Sequence, residues 1–379
     1  MSALLSEPFR RCWAEVDLNA LRHNVAAIRE HVGPGAGIMA VVKANAYGHG
    51  VVELARELRY LVEMFGVASV AEALQLRRVA PGTGIVILGP ALPEEREAIL
   101  RNGFIPVVSS LEEAKSYSKL AGCLKSATPF GVHLKIDTGM GRIGVWHEQA
   151  LEVVRAIAAL PGIQLSGVAT HLPLADEDAE QTRAQLALWN RLVGELRKIG
   201  PAIPIIHALN SAGTILFNDQ HTSSGDLIRP GLILYGCSPV PQFQARLRPV
   251  LAWKSRITLL REVPAGRSVS YGGTFVTPAP MRIATVCAGY ADGYARHLSN
   301  VGAEVLIGGR RCPLLGRVTM DQILVDVSGV PQAAVGDEVV LLGSQGVEEI
   351  TATELAAKSG TIPWEIFTTI SSRVVRYYI

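Results

Sequence analysis

A lysine closes the first strongly apolar run of this chain. Gly37-Ile38-Met39-Ala40-Val41-Val42 is followed by Lys43 and then by Ala44-Asn45-Ala46-Tyr47-Gly48-His49-Gly50. An amine at the end of a buried strand is partly desolvated, which lowers its pKa and frees the neutral form to attack a carbonyl or take a proton. Spacing alone leaves open the alternative of a loop lysine directed into water. Later runs end in His171, in His207 with Asn210-Ser211, and in Arg229 with Gly231. A histidine at such a place is also an ordinary structural residue once it is hydrogen-bonded. Ser211 and Gly231 suit a phosphate held by backbone N–H groups. Metal chemistry is not expected, because the chain has no H-E-x-x-H, no Cys/His cluster and no set of carboxylates.

Gly139-Met140-Gly141-Arg142-Ile143-Gly144 satisfies G-x-G-x-x-G, which raises a nicotinamide-binding unit. The context argues against it. That fingerprint opens an early βαβ unit and is followed about 20 residues on by an acid at the end of the next strand. Here the next apolar run leads through Leu165 and Val168 to Thr170 and His171. A flexible turn that positions Arg142 toward an anion is the better reading.

These residues need elements to position them. Apolar runs at 37–42, 64–68, 85–88, 105–108, 132–136, 165–169, 203–206 and 227–234 alternate with amphipathic stretches at 51–60, 70–79, 94–101, 111–119, 149–160 and 179–199. Near-continuous apolar strands alternating with helices predict a parallel sheet covered by helices. Eight such units in about 230 residues match a closed (β/α)8 TIM-like barrel, whose functional residues sit at the C-terminal ends of the strands. The pattern then changes. Short segments rich in Val, Ile and Thr at 255–260, 282–286, 304–307, 313–318, 322–327 and 338–342 predict a mostly β domain, with one helix at 353–358 and a strand-like tail at 372–378. The expected division is a barrel over 12–240 and a C-terminal domain over 241–379, joined by a Pro-containing stretch at 234–249, with residues 1–11 packing on the second domain.

Composition limits the partners. The 379 residues carry 36 Lys and Arg against 34 Asp and Glu, a net charge of +2 without basic runs, so no nucleic-acid partner is implied. Mean hydropathy is positive. No uninterrupted apolar stretch approaches the roughly 18 residues of a membrane span, and the first residues lack the apolar core of a secretory signal, which makes the cytoplasm the expected location. Five scattered cysteines without a C-x-x-C pair read as reduced, mostly buried thiols.

Taken together, the segment 41–50 resembles the pyridoxal-phosphate lysine signature of the alanine racemases. The resemblance continues, in that family's order, through Asp137-Thr138-Gly139-Met140-Gly141-Arg142-Ile143-Gly144, Asn210-Ser211, Arg229-Pro230-Gly231, Ser270-Tyr271-Gly272, Gly289-Tyr290-Ala291-Asp292-Gly293 and Thr319-Met320-Asp321-Gln322. It runs from about Trp13 to Arg376.

The resemblance implies a two-base racemase that interconverts L- and D-alanine with pyridoxal 5′-phosphate. Lys43 would bind the cofactor as an imine and act as one base, and Tyr271 would be the other, reaching the barrel of a partner subunit in a homodimer. Cofactor contacts would come from Tyr47, Asn210, Ser211, Gly231 and Leu232, with Arg229 facing the pyridine nitrogen and His171 and His207 supporting it. Arg142 would position the substrate carboxylate, Lys135 would orient Arg142 as a carbamate, and Met320, Asp321 and Tyr290 would complete the pocket and its entrance. The chain departs from the family at Leu172-Pro173, at Val375 and at Ser372, where some members carry a tyrosine. Two alternatives follow. One is a racemase of the same fold preferring serine or another small amino acid, and Ser372 is the feature that raises it. The other is a non-catalytic cofactor-binding homeostasis protein, against which the domain carrying Tyr271 speaks.

Overall fold

The computed structural model describes residues 10–199, 203–220 and 227–379. The described residues form two compact units, one within 21–46 and 51–248, the other within 10–20, 47–50 and 249–379. Residues 1–9, expected to pack on the C-terminal domain, lie outside the described residues.

The first unit is a (β/α)8 barrel. Its strands are Gly37–Val41, Met64–Val67, Gly84–Ile87, Ile105–Val108, Phe130–Asp137, Ile163–Ala169, Ile205–His207 and Leu227–Ile228, paired in parallel, with the last lying beside the first. The ring is carried round by a bond from Arg229 N to Leu209 O at 2.9 Å, just beyond the seventh and eighth strands. Most of these strands are short apolar runs containing Val or Ile, because β-branched side chains suit a sheet buried on both faces. Met39, Val86, Val107 and Leu227, drawn from four strands, are buried together with Met64, Leu88, Ile105 and Ile205 packed against them. Full burial of such a side chain contributes about 1.5–3 kcal/mol, so the interior is a core and not a channel. Ser69 and Ser110 cap the helices Val70–Val79 and Leu111–Leu124 by accepting from the amides of Glu72 and Glu113.

The eighth strand is shorter than its apolar run. The expected strand at 227–234 ends after Ile228, because Pro230 has no N–H for a ladder and the chain then winds into the 3-10 turn Leu232–Tyr235, closed by Gly236 at φ +80°. Arg229 stands directly after the strand Leu227–Ile228, at the strand end where it was expected.

The second unit is mostly β. Its long strand Leu251–Val263 pairs antiparallel with Cys12–Val16, Glu338–Gln345 and Met281–Val286, and Val375–Tyr378 joins the far side of Cys12–Val16 in parallel. Leu251, Trp253, Ser255 and Ile257 alternate inward along the long strand, the period of two that a half-buried strand shows. Cys12–Val16 thus pairs in this sheet and not in the barrel. The expected strand at 313–318 is instead Arg310–Pro313 followed by a single bridge from Leu314 to Val325. Gly316 breaks the run at φ +67°, where a Cβ would stand 2.7 Å from Val269 O. Two helices, Ala352–Ser359 and Pro363–Thr369, precede the tail. Among the described residues no helix is long and apolar enough to cross a membrane.

Candidate active site

The first barrel strand ends in an unusual piece of backbone. Ala44, Asn45, Ala46 and Tyr47, none of them glycine, all have φ between 51° and 55°, so the chain makes one left-handed helical turn directly after Lys43. Each such residue costs about 1–2 kcal/mol, and the turn persists only because its surroundings over-determine it. Ala46 N bonds to Val42 O at 2.9 Å, Ala44 N to Glu72 Oε1 at 2.7 Å, and Val51 N to Asn45 Oδ1 at 2.8 Å. Lys43 stands just beyond the C-terminal end of the strand Gly37–Val41, and its side chain is solvent-accessible. Desolvation by the surrounding protein and the charge of Arg142 lower its pKa, and Glu72 opposes them. The amine is thereby brought nearer to its nucleophilic form.

Arg229 is the best-held side chain of the site. Its Nη2 donates to Thr170 O at 2.8 Å and Ala208 O at 2.9 Å and stands 3.2 Å from His171 Nδ1, while Nη1 stands 3.0 Å from His207 Nδ1. His207 Nε2 is in turn 3.0 Å from His133 Nδ1. Burial followed by the arginine's charge pushes His133 down to about 3 and drives His171 and His207 far below the ordinary imidazole range. All three are neutral at physiological pH. Arg229 is lowered by burial to about 10, so it remains a cation, and no carboxylate among the described residues pairs with it. A buried cation held only by carbonyls and neutral rings favours a ligand that brings negative charge.

Lys135, on the fifth strand, is buried, and burial followed by the charges of Arg229 and Arg142 depresses its pKa strongly against the pull of Asp137. A Cβ on Gly144 would stand 2.9 Å from Lys135 Cγ and 2.9 Å from Lys135 O, so the loop packs against the base of this side chain. The three glycines of 139–144 all have positive φ, and Asp137 Oδ1 accepts from the amides of Gly139 and Met140 at 2.8 and 2.9 Å. These bonds and φ values make a tight turn around Arg142.

Asn210 caps the helix Ser211–Leu216 by accepting from Gly213 N at 2.9 Å, and donates to Leu172 O at 3.0 Å. Ser211 Oγ accepts from Gly231 N at 3.0 Å, which leaves its hydroxyl proton to donate. Leu232 is wholly buried. A lysine of reduced proton affinity, a buried arginine without an acid and a free serine hydroxyl form a donor set that fits an anionic aromatic aldehyde such as pyridoxal 5′-phosphate. Among the described residues no group of three or more His, Cys, Asp or Glu side chains is placed to hold a metal ion.

The barrel therefore brings together Lys43, Lys135, Arg142, His171, His207, Asn210, Ser211, Arg229, Gly231 and Leu232. The other expected residues belong to the second unit. Tyr47 is buried there, its phenol pushed up to about 12 by burial against a hydrogen bond with Trp364. Tyr271 is 70% exposed on the turn Tyr271–Gly273, and Ser270 beside it donates to Arg317 O at 2.6 Å. Tyr290 and Ala291 donate their amides to Thr319 O and Met320 O, both at 3.0 Å, which zips the Tyr290 loop to the Met320 loop. Asp321 accepts from Arg373 at 2.8 Å. Sequence reasoning missed His133, Glu72 and Thr170. The signal for His133 was a histidine inside an apolar run; Glu72 was marked only by its place three residues after Ser69.

Comparison with known proteins identifies the family. The profile of the alanine racemase N-terminal domain matches residues 16–239, and that of the alanine racemase C-terminal domain matches 250–378. The chain is 43% identical to the alanine racemase of Halothermothrix orenii over 97% of each. It superposes on alanine racemase of Clostridium difficile 630 with a TM-score of 0.90 at 36% identity, covering 98% of this chain and 97% of the other. A second solved structure, alanine racemase from Bartonella henselae with covalently bound pyridoxal phosphate, is similar at a TM-score of 0.87 and 29% identity, over 97% and 99% of the two chains. With both domain profiles matched along nearly its whole length, this chain belongs to the alanine racemase family.

Proposed function

We propose that this protein interconverts L- and D-alanine by proton exchange at Cα between two bases, Lys43 and Tyr271, with pyridoxal 5′-phosphate bound at the Lys43 end of the barrel. The cofactor, when bound, supplies a conjugated electron sink that acidifies the Cα proton of an attached amino acid. Racemisation then needs one proton taken from one face and one returned to the other. Lys43 serves one face through its amine of lowered pKa. Tyr271, supplied by the second copy in a homodimer, serves the other. The observation that carries this reading is one barrel holding both that lysine and a buried arginine that no carboxylate pairs with among the described residues.

The remaining side chains bind and orient. Tyr47, Ser211, Gly231 and Leu232 hold the phosphate and Asn210 shapes the loop around it. Arg229 faces the ring nitrogen. A permanent cation there keeps that nitrogen unprotonated, weakens the electron sink and suppresses side reactions such as transamination. His171 and His207 hold its guanidinium. Arg142 binds the substrate carboxylate, and Lys135 orients Arg142 as a carbamate. A neutral amine is the form that adds to carbon dioxide, losing one proton and gaining a negative charge, and the depressed pKa of Lys135 makes that form available. Met320, Asp321 and Tyr290 line the substrate side from the partner subunit. The barrel segment thus binds the cofactor, and the segment beyond about residue 240 supplies the second base. Exposure of Tyr271, Met320 and Tyr290 in the second unit suits residues that a second copy covers. The reaction belongs in the cytoplasm, where D-alanine is supplied for peptidoglycan or consumed.

Two variants and their mixture test this. Lys43→Ala should abolish the visible absorbance of the bound cofactor. Tyr271→Phe should keep that absorbance and lose at least about 100-fold in racemisation. Mixing the two inactive variants under subunit exchange should restore activity, because each mixed dimer regains one site with both bases. An unchanged spectrum in the first, an unchanged rate in the second or no recovery on mixing would overturn the corresponding assignment. Ser372, exposed on the turn before Val375–Tyr378, favours one second reading, a preference shared with serine. Equal kcat/KM for serine and alanine would support it.

A further inference from the structure

Ser69-Val70-Ala71-Glu72 opens the helix Val70–Val79 with the S-x-x-E pattern of a capping box, in which the acid bonds back to the amide of the capping residue. Ser69 plays its part, accepting from Glu72 N at 3.3 Å. The acid does something else. Glu72 Oε2 accepts from the amide of Ala68, one residue earlier, at 2.8 Å, while Oε1 accepts from the amide of Ala44 at 2.7 Å. The same pattern recurs two strands later, where Ser110 caps Leu111–Leu124 and Glu113 Oε2 accepts from Ser109 N at 2.9 Å. There the second oxygen, Glu113 Oε1, is buried with no hydrogen-bond partner among the described residues. Capping therefore engages one carboxylate oxygen. The second oxygen of Glu72 is directed at the first residue of the left-handed turn, joining the ends of the first and second barrel strands.

We propose that Glu72 is a positioning residue for Lys43: its carboxylate holds the left-handed turn closed and so sets the direction in which the Lys43 side chain leaves the first strand. The proposal rests on the reading of Lys43 as the amine that carries the cofactor. Four consecutive residues in the left-handed region resist relaxation to the ordinary extended or right-handed backbone only while their amides are bonded in place. Ala44 N sits one peptide from Lys43, and its partner is this carboxylate. The negative charge also acts on the lysine itself, against Arg142.

The experiment compares cofactor-loaded wild type with Glu72→Ala, Glu72→Gln and Ser69→Ala by hydrogen–deuterium exchange of peptides spanning 42–50 and 70–79, alongside steady-state kinetics. Loss of a charge-assisted hydrogen bond should speed exchange in 42–50 by about 10-fold in Glu72→Ala and by less in Glu72→Gln, which keeps one oxygen. Ser69→Ala should affect 70–79 alone. In Glu72→Ala, kcat should fall by about 10-fold while KM for alanine changes less than about 3-fold, the split expected when a reacting group is misplaced. Faster exchange in 70–79 with 42–50 unchanged would reduce Glu72 to a helix cap and overturn the proposal. Borohydride reduction with peptide mapping separates the two levels. Cofactor found on another lysine would overturn the reading of Lys43 itself, whereas cofactor on Lys43 with unchanged exchange in 42–50 would overturn the role of Glu72 alone.

Discussion

Arg229 Nη1 lies 3.0 Å from His207 Nδ1, and that one contact fixes the tautomers of two histidines. A guanidinium only donates, so His207 Nδ1 accepts and Nε2 carries the proton. His207 Nε2 then donates to His133 Nδ1 at 3.0 Å, which places the proton of His133 on Nε2. That nitrogen is buried with no hydrogen-bond partner among the described residues. Gly167 makes room for the ring, since a Cβ there would lie 2.7 Å from it. Acting together, these bonds keep the arginine's plane fixed. Arg229→Lys, which keeps charge but loses the fork, should cut kcat by at least about 10-fold and slow-growing transamination should appear as loss of activity with turnover. Racemisation and pyridoxamine formation, measured together, check it.

Acid should destabilise the protein through the same histidines. In the unfolded chain each imidazole takes a proton near pH 6.5, whereas folded His133 resists until about pH 3 and His207 also stays neutral far below its ordinary range. The unfolded state then binds more protons, so stability is complete above about pH 6.5 and falls as the pH drops toward 3, by up to about 1.4 kcal/mol per pH unit for each histidine. Guanidinium unfolding between pH 7 and 4 reads this slope. His133→Asn, whose Oδ1 replaces the accepting nitrogen but takes no proton, should flatten it by about one proton; an unchanged slope would remove His133 from the account.

The left-handed turn gives a backbone prediction. Ala44 sits at φ +52°. Ala44→Gly relieves a steric cost and frees the unfolded chain, effects of similar size, so Tm should change little or rise by an amount equivalent to about 1 kcal/mol or less. Ala44→Val places a β-branched side chain where it is least tolerated and should cost about 2 kcal/mol or more. Thermal unfolding of the two variants checks the sign of each.

Gly289 should tolerate no side chain. A Cβ there would lie 2.2 Å from Met320 O and 2.4 Å from Thr319 O, both backbone atoms that cannot swing aside. Its amide donates to Asp292 at 3.0 Å, and Asp292 in turn lies 3.3 Å from Arg373, which also holds Asp321. Gly289→Ala should therefore part the loop of Tyr290 from that of Met320 and raise KM for alanine by about 10-fold, with a smaller change in kcat. A KM equal to wild type would exclude these loops from the substrate side.

Ser372→Tyr tests specificity. A tyrosine in that turn adds a bulky ring where this chain has a small polar group, so kcat/KM for serine should fall relative to that for alanine by about 10-fold. Chiral product analysis with both amino acids measures the ratio.

Much of the molecule was legible from the chain alone. Apolar runs of strand length alternating with helical periodicity specified the barrel, and because each run ends where polarity begins, Lys43, His171, His207 and Arg229 were marked as strand-end residues. Those signals are local. They arise from burial along a few consecutive residues. The tertiary structure decided what periodicity cannot encode, namely the partners chosen across the sheet. Cys12–Val16 entered the second unit's sheet because its neighbours there are Leu251–Val263 and Val375–Tyr378, far away in the chain. The eighth strand stopped at Ile228 because Pro230 offers no donor to the ladder. Glu72 met Ala44, and His133 met His207, only because closing the ring brought adjacent strand ends and facing side chains within hydrogen-bond distance. Residue types and spacing determined which groups could do chemistry; barrel closure determined which of them hold the others in place.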